Sequence, residues 1–318
     1  MARKGYRQLR TNVIWGRVKQ QGYGAYDDLV NAARARGIRV QMTLMGTPSY
    51  SPQWDQTLNA SHNDPRMWQS FAADTAKHFR GRVGRYSIGN EPNWPAFIAN
   101  ADKDPRAAGI AYRGIYRGGR AGIKGVDPHA QVLTGELSSA PNAAAFLKAF
   151  LGGKPIRTEG LAYHPYAGGG GWDINSLPEL QKTLASYKRQ GRLQTVQGKA
   201  APLYLTEFGT QRGTMSDQQR LRAFAVGYAK AKAAGARQLL QYQLMPSVRP
   251  TVTTPGQTVT DGYGGAFTTP GQTQPAGGFV WDTGIADAAG NIPAINRGLK
   301  VSVPMARAAK ARPVKRKR

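Results

Sequence analysis

The chain is expected to fold as an α/β protein of the (β/α)8 barrel class, and three observations lead there. Short apolar runs alternate with helical segments of ten or more residues along most of the 318 residues, the pattern of parallel βαβ units. Polar, glycine-rich loops follow most of the strand-like runs. No G-x-G-x-x-G follows the first strand, as a doubly wound sheet gripping a phosphate would have it. One large domain accommodates the length, since α/β barrels run to about 250 residues or more.

The elements follow in order. Residues Gln8 to Trp15 read as a strand and Tyr26 to Arg36 as a helix stopped by Gly37. Ile38 to Met45 is a buried strand, followed by a polar loop, Gly46 to Pro65, that holds Tyr50, Trp54 and His62. A helix over Met67 to Phe79 ends at Gly81, and Val83 to Gly89 is the next strand. Arg106 to Lys124 is helical, though Gly109, Gly114, Gly118 and Gly119 weaken the pattern. Gln131 to Gly135 is a strand, Asn142 to Leu151 a helix, Gly160 to His164 a strand and Leu177 to Gln190 a helix. Leu203 to Glu207 is a strand, Asp217 caps a helix running to Ala234, and Gln238 to Leu244 is a strand. The Thr-, Gly-, Pro- and Gln-rich stretch from Pro246 to Gly278 breaks the rhythm where a barrel loop would stand, and Ile295 to Ala309 reads as a closing helix.

Seven strands are found where a closed barrel has eight. The opening residues resemble the end of a helix feeding a second βα unit, so the barrel is expected to lack its first strand in this chain. The expected domains are a barrel over residues 1–306 and a basic tail over 307–318. The start carries basic residues without an apolar stretch behind them, so no signal peptide is expected in this chain. An incomplete start would remove one, and the full-length protein is expected to be secreted.

Composition narrows the chemistry. With no cysteine, disulfides, thiolate metal sites and a cysteine nucleophile are excluded. The four histidines, His62, His78, His129 and His164, show no close metal-ligand spacing. No run of about 18 apolar residues is present, so no membrane span is expected. The net charge of +26 is spread along the chain, dense only in the Lys310 to Arg318 tail. No nucleic-acid-binding signature accompanies it, so a solvated basic surface is expected and no specific nucleic-acid partner.

Two of the five glutamates stand apart. Glu91 in Ile88-Gly89-Asn90-Glu91-Pro92 and Glu207 in Leu205-Thr206-Glu207-Phe208-Gly209 each end a strand-like run. Barrel active sites sit at the C-terminal ends of the strands, where the βα loops gather. About three βα units separate the two residues, which sets them on opposing sides of one cavity mouth. Paired carboxylates in such a mouth are the equipment for cleaving a glycosidic bond. Glu136, after the Gln131 to Gly135 strand, also points toward the mouth, as a substrate contact or a structural group. Trp15, Trp54, Trp94, Trp172 and Trp281 are candidates for stacking on sugar rings, or for ordinary packing.

Four motifs in this order, Leu9-Arg10-Thr11-Asn12-Val13-Ile14-Trp15, Gly89-Asn90-Glu91-Pro92-Asn93, His164-Pro165-Tyr166 and Thr206-Glu207-Phe208-Gly209, resemble those of the retaining (β/α)8-barrel glycoside hydrolase clan. The resemblance spans roughly residues 7 to 300 and is greatest to family 5, cellulase-like, with family 39, xylosidase-like, next. It implies Glu207 as nucleophile on strand seven and Glu91 as acid/base on strand four, with no metal or cofactor. Mutual repulsion of the two carboxylates is expected to favour a proton on Glu91. The resemblance further implies that Asn90 binds the sugar 2-hydroxyl, Arg10 orients Glu207, Tyr166 donates to it, and His164 lines the wall. Clan members often carry a tryptophan at the end of strand eight; here Tyr242 or Gln243 stands there, and Trp281 is the candidate to return to that place.

The expected activity is retaining hydrolysis of a β-linked poly- or oligosaccharide by a monomer. The alternatives are a non-catalytic carbohydrate-binding barrel and a polyanion-binding protein driven by net charge.

Overall fold

The computed structural model describes residues 6–48, 62–166, 176–210 and 215–242. The expectations for Trp54, Trp172, Gln243, Trp281, most of the Gly46 to Pro65 loop, the Pro246 to Gly278 stretch, the closing helix and the tail lie outside them.

In chain order the elements are β1 (Gln8–Ile14), α1 (Trp15–Gln21), α2 (Gly24–Arg34), β2 (Arg39–Met45), α3 (Pro65–His78), β3 (Arg85–Ile88) and α4 (Pro105–Val126). They continue with β4 (Gln131–Leu133), β5 (Leu137–Ser138), α5 (Ala143–Leu151), β6 (Ile156–Arg157), β7 (Leu161–His164), α6 (Ser176–Arg189), β8 (Leu193–Gln194), β9 (Leu203–Phe208), α7 (Asp217–Ala233) and β10 (Leu239–Gln241). Every named strand pairing is parallel. The fold is therefore α/β, with parallel strands alternating with helices as in a TIM barrel.

One sheet runs β1-β2-β3-β4 and another β10-β9-β7-β5. They are continuous, because the fourth stave is divided into β4, paired with β3, and β5, paired with β7. A parallel bridge from Leu133 to Gly160 spans the division. Seven staves result among the described residues. No ladder joins β10 to β1 there; the Tyr6 hydroxyl reaches Gln241 Oε1 across that side at 2.5 Å.

Two local differences from the sequence expectation have clear causes. The cap of α7 is Ser216 rather than Asp217: its side chain accepts from the Gln219 backbone while Gln219 bonds back to the Ser216 N–H. The glycines of α4 do not interrupt it. A Cβ at Gly118 would lie 2.0 Å from the Pro65 carbonyl oxygen, and one at Gly122 2.1 Å from that of Gln69. These residues let α3 approach α4 to backbone contact. Asp64 caps α3 by accepting from the Arg66 N–H, with Pro65 in the first turn. The ladder of β6 with β8 lies outside the barrel and is two residues long, too short for any sequence period.

The core between staves and helices is aromatic in two places. Trp15 stacks on Phe71 at 4.8 Å and meets Trp68 edge-on at 5.4 Å. Tyr112, Tyr116, Phe146 and Phe150 pack between α4 and α5. Among the described residues no helix is long and apolar enough to cross a membrane.

Candidate active site

Strand periodicity builds the site. On β1 the side chains of Gln8 and Arg10 share the barrel-facing side, and on β2 Gln41 and Thr43 do so. In the register of β1 and β2, Arg10 stands opposite Gln41 and next to Thr43. The Arg10 guanidinium then touches four strands or strand ends. Nε donates to Thr43 Oγ1 at 3.0 Å, Nη1 to Glu207 Oε2 at 3.3 Å and Nη2 to Asn90 Oδ1 at 2.6 Å. Nη2 also pairs with Glu136 Oε2.

Glu91 follows β3 through Gly89 and Asn90. Its φ is +39°, a left-handed conformation rarely taken by a residue with a side chain. Such backbone costs on the order of 1–3 kcal/mol and persists only where the surroundings impose it. Here they do: the Glu91 N–H donates to the Glu136 carbonyl at 3.0 Å, and Gly89 N–H to that of Leu44 at 2.8 Å. Pro92 follows at once.

His164 closes β7 and is fully buried. Its Nδ1 lies 2.8 Å from Glu91 Oε1 and 3.6 Å from Glu207 Oε2. Those two carboxylate oxygens are thus no further apart than the two lengths combined, about 6.4 Å. That bound sets the two carboxyls close to one another and admits the roughly 5–5.5 Å separation of retaining glycosidases. The other ring nitrogen, Nε2, lies 3.5 Å from Glu136 Oε2. The Tyr166 hydroxyl donates to Glu207 Oε1 at 3.0 Å, while the Ser139 hydroxyl donates to the Tyr166 carbonyl.

The electrostatics follow from burial and crowding. Burial alone disfavours imidazolium, yet the Glu207, Glu136 and Glu91 carboxylates outweigh it and push His164 up to about 9. Burial alone likewise disfavours the Glu136 anion, but Arg10 and His164 bring it down to about 2. Glu207 is held above its ordinary value, first by burial, then by Glu91 and Glu136, against the pull of His164 and Arg10. Burial, then Glu207, raises the Tyr242 phenol, whose backbone N–H donates to the Phe208 carbonyl at 2.8 Å. Two cations stand against three carboxylates, so one further proton makes the cluster neutral.

Arg10, Asn90, Glu91, His164, Tyr166 and Glu207 thus meet in one contact cluster. Glu136 is not a substrate contact: it is 0% exposed, and its Oε1 accepts from Thr43 Oγ1 at 2.8 Å and Gln41 Nε2 at 3.2 Å. Trp15 belongs to the core, whereas Trp94 is 41% exposed and its N–H donates to the Glu91 carbonyl at 2.8 Å. Gln41 and Thr43 escaped the sequence reading. Their signal was two polar residues at period two inside the otherwise apolar run Val40 to Met45.

No family model matches the chain. Solved structures of similar fold include a family 39 glycoside hydrolase from the gut symbiont Bacteroides cellulosilyticus, at 18% identity and a TM-score of 0.61 over 93% of this chain and 57% of that one. A family 1 β-glucosidase from Thermotoga maritima matches at 12% identity and a TM-score of 0.57, over 93% of this chain and 82% of that one. The virulence factor SghA of Agrobacterium tumefaciens, solved with its substrate analog salicin, matches at 15% identity and a TM-score of 0.56, over 93% and 81%. This chain therefore shares the fold of barrel glycosidases, and spans little more than half the length of the family 39 structure.

Proposed function

We propose that the chain is a retaining glycosidase acting on a β-linked poly- or oligosaccharide. The observation that carries this reading is the approach of Glu91 and Glu207 to the same His164 nitrogen, which keeps both carboxyls within reach of one glycosidic bond. A Glu207 oxygen attacks the anomeric carbon as the bond to the leaving oxygen breaks, and Glu91 gives its proton to that oxygen. Water then attacks the same carbon, gives a proton to Glu91, and Glu207 departs as the carboxylate.

The neighbours suit these roles. Glu207 accepts from Arg10 and Tyr166, two donors that favour and orient its anion. Imidazolium at His164 stabilises the charge that appears on Glu91 as its proton leaves, an interaction stronger in the transition state than before it. Arg10 engages Asn90 Oδ1 and so turns the amide nitrogen toward other partners, which suits a bond to a sugar 2-hydroxyl. The site motifs resemble family 5 and family 39, and the fold likeness runs to families 39 and 1.

Release of aryl leaving groups from β-glycosides, with salicin among the probes, tests the reading. Glu207→Gly is expected to remove turnover, and Glu91→Ala to lower it by about 10²–10⁴-fold. Near-normal rates in both variants, or sugar binding without turnover by the unaltered protein, would overturn it.

A further inference from the structure

We propose that Glu136 is a positioning residue of this site: from beneath, it holds Arg10 and His164 by one nitrogen each, so that both present their other nitrogen as a cation to Glu207 and Glu91. The proposal rests on the glycosidase reading for its consequence and on the geometry alone for its substance.

The arrangement is symmetric about Glu136. Arg10 directs Nη2 at Glu136 and Nη1 at Glu207. His164 directs Nε2 at Glu136 and Nδ1 at Glu91. His164 Nε2 is buried without a hydrogen-bond partner among the described residues, and its nearest ionic neighbour is Glu136 Oε2 at 3.5 Å, the same oxygen that Arg10 Nη2 engages. An unprotonated Nε2 would set a lone pair against a buried anionic oxygen, so the proton belongs on that nitrogen. Nδ1 lies between Glu91 Oε1 at 2.8 Å and the Glu207 carboxylate at 3.6 Å, which favours a second proton there and so imidazolium. Oε1 of Glu136 is held by Thr43 and Gln41, which leaves Oε2 as the oxygen that serves both cations.

The groups around the ring come from every adjacent stave: Glu91 after β3, Glu136 between β4 and β5, and Glu207 on β9, with Arg10 on β1 and the phenols of Tyr166 and Tyr242 beside them. Among the described residues, Glu136 is the one ionic group that faces Nε2. Removing its charge while leaving its shape therefore acts on the ring through one contact. Glu136 also grips the proton donor's backbone, through the Glu91 N–H.

Ring-nitrogen NMR of His164, assigned with His164→Gln, tests this without requiring turnover. The unaltered protein is expected to keep His164 protonated at pH 8, and Glu136→Gln to lose that proton at least one pH unit lower. If glycoside release is seen, the alkaline limb of kcat/KM moves down with it, kcat falls about tenfold or more, and KM stays within about twofold. Glu136→Asp, which keeps the charge, restores part of the shift and is read in place of Glu136→Gln should that variant not fold. A His164 that titrates near 6.5 in the unaltered protein, or one whose titration ignores both substitutions, overturns the proposal. Failure of glycoside release with the NMR shift intact would overturn the glycosidase reading instead.

Discussion

Two arginines enter this barrel from opposite ends, and their surroundings differ in kind. Arg10, toward the C-terminal mouth, touches Glu136 and Glu207. Arg85, the first residue of β3 at the base, has neutral partners: Nε donates to Gln131 at 2.9 Å, Nη1 to Gln8 at 3.2 Å and to Gln238, and its guanidinium lies 4.7 Å from the Tyr204 ring centroid. Burial, then the nearby Arg39 and Arg237, lower the Arg85 pKa, whereas Glu136 and Glu207 raise that of Arg10 against its burial. Amides satisfy a guanidinium's hydrogens and tie staves together without storing charge. Carboxylates store it. The base therefore keeps geometry, and the mouth keeps an electrostatic reserve, which the proposed reaction would draw on.

The largest test of that division is Arg10→Met. It strands Glu136 in the interior, and losses of about 3–5 kcal/mol in urea denaturation are expected, with glycoside release reduced about 100-fold or more. Next comes pH. His164 is raised from 6.5 to about 9, so its contribution is complete below pH 6.5 and lost as pH climbs through 9. Glu136 is lowered from 4.5 to about 2, so its contribution is complete above 4.5 and lost as pH falls through 2. Denaturation midpoints are expected to be highest between those plateaus and to decline on both sides by on the order of 2–3 kcal/mol. A flat alkaline side would show that the mouth stores no such charge.

Arg85→Met is smaller, about 1–3 kcal/mol for acceptors left unpaired, with kcat per folded molecule within about twofold of normal. Turnover crippled as severely as by Arg10→Met would erase the distinction between the two ends. The smallest effect is expected at Trp94→Ala, which removes an exposed ring beside Glu91. KM for extended oligosaccharides should rise about 2–10-fold, with aryl monosaccharides unaffected.

The legibility of this protein followed the same division. Element order was readable because helical and strand periods alternate cleanly, and Glu91 and Glu207 stood out as charged residues at strand ends. Arg10, Asn90, His164 and Tyr166 were found through motif resemblance, not through periodicity. The inner layer was harder. Gln41 and Thr43 look like tolerated polar residues until the register sets them against Arg10, because pairing across strands is invisible in one strand's pattern. Glu136 sits where the fourth stave divides, and no local signal announces such a break. The α4 helix was legible despite its glycines, because low propensity describes an isolated helix, whereas Gly118 and Gly122 answer to α3.

On the proposed function, the left-handed backbone at residue 91 sets folding and turnover against each other. A glycine would relax that conformation and forfeit the proton donor. Variants selected only for survival on heating should therefore drift away from glutamate at this position, and the hardiest of them would be inert.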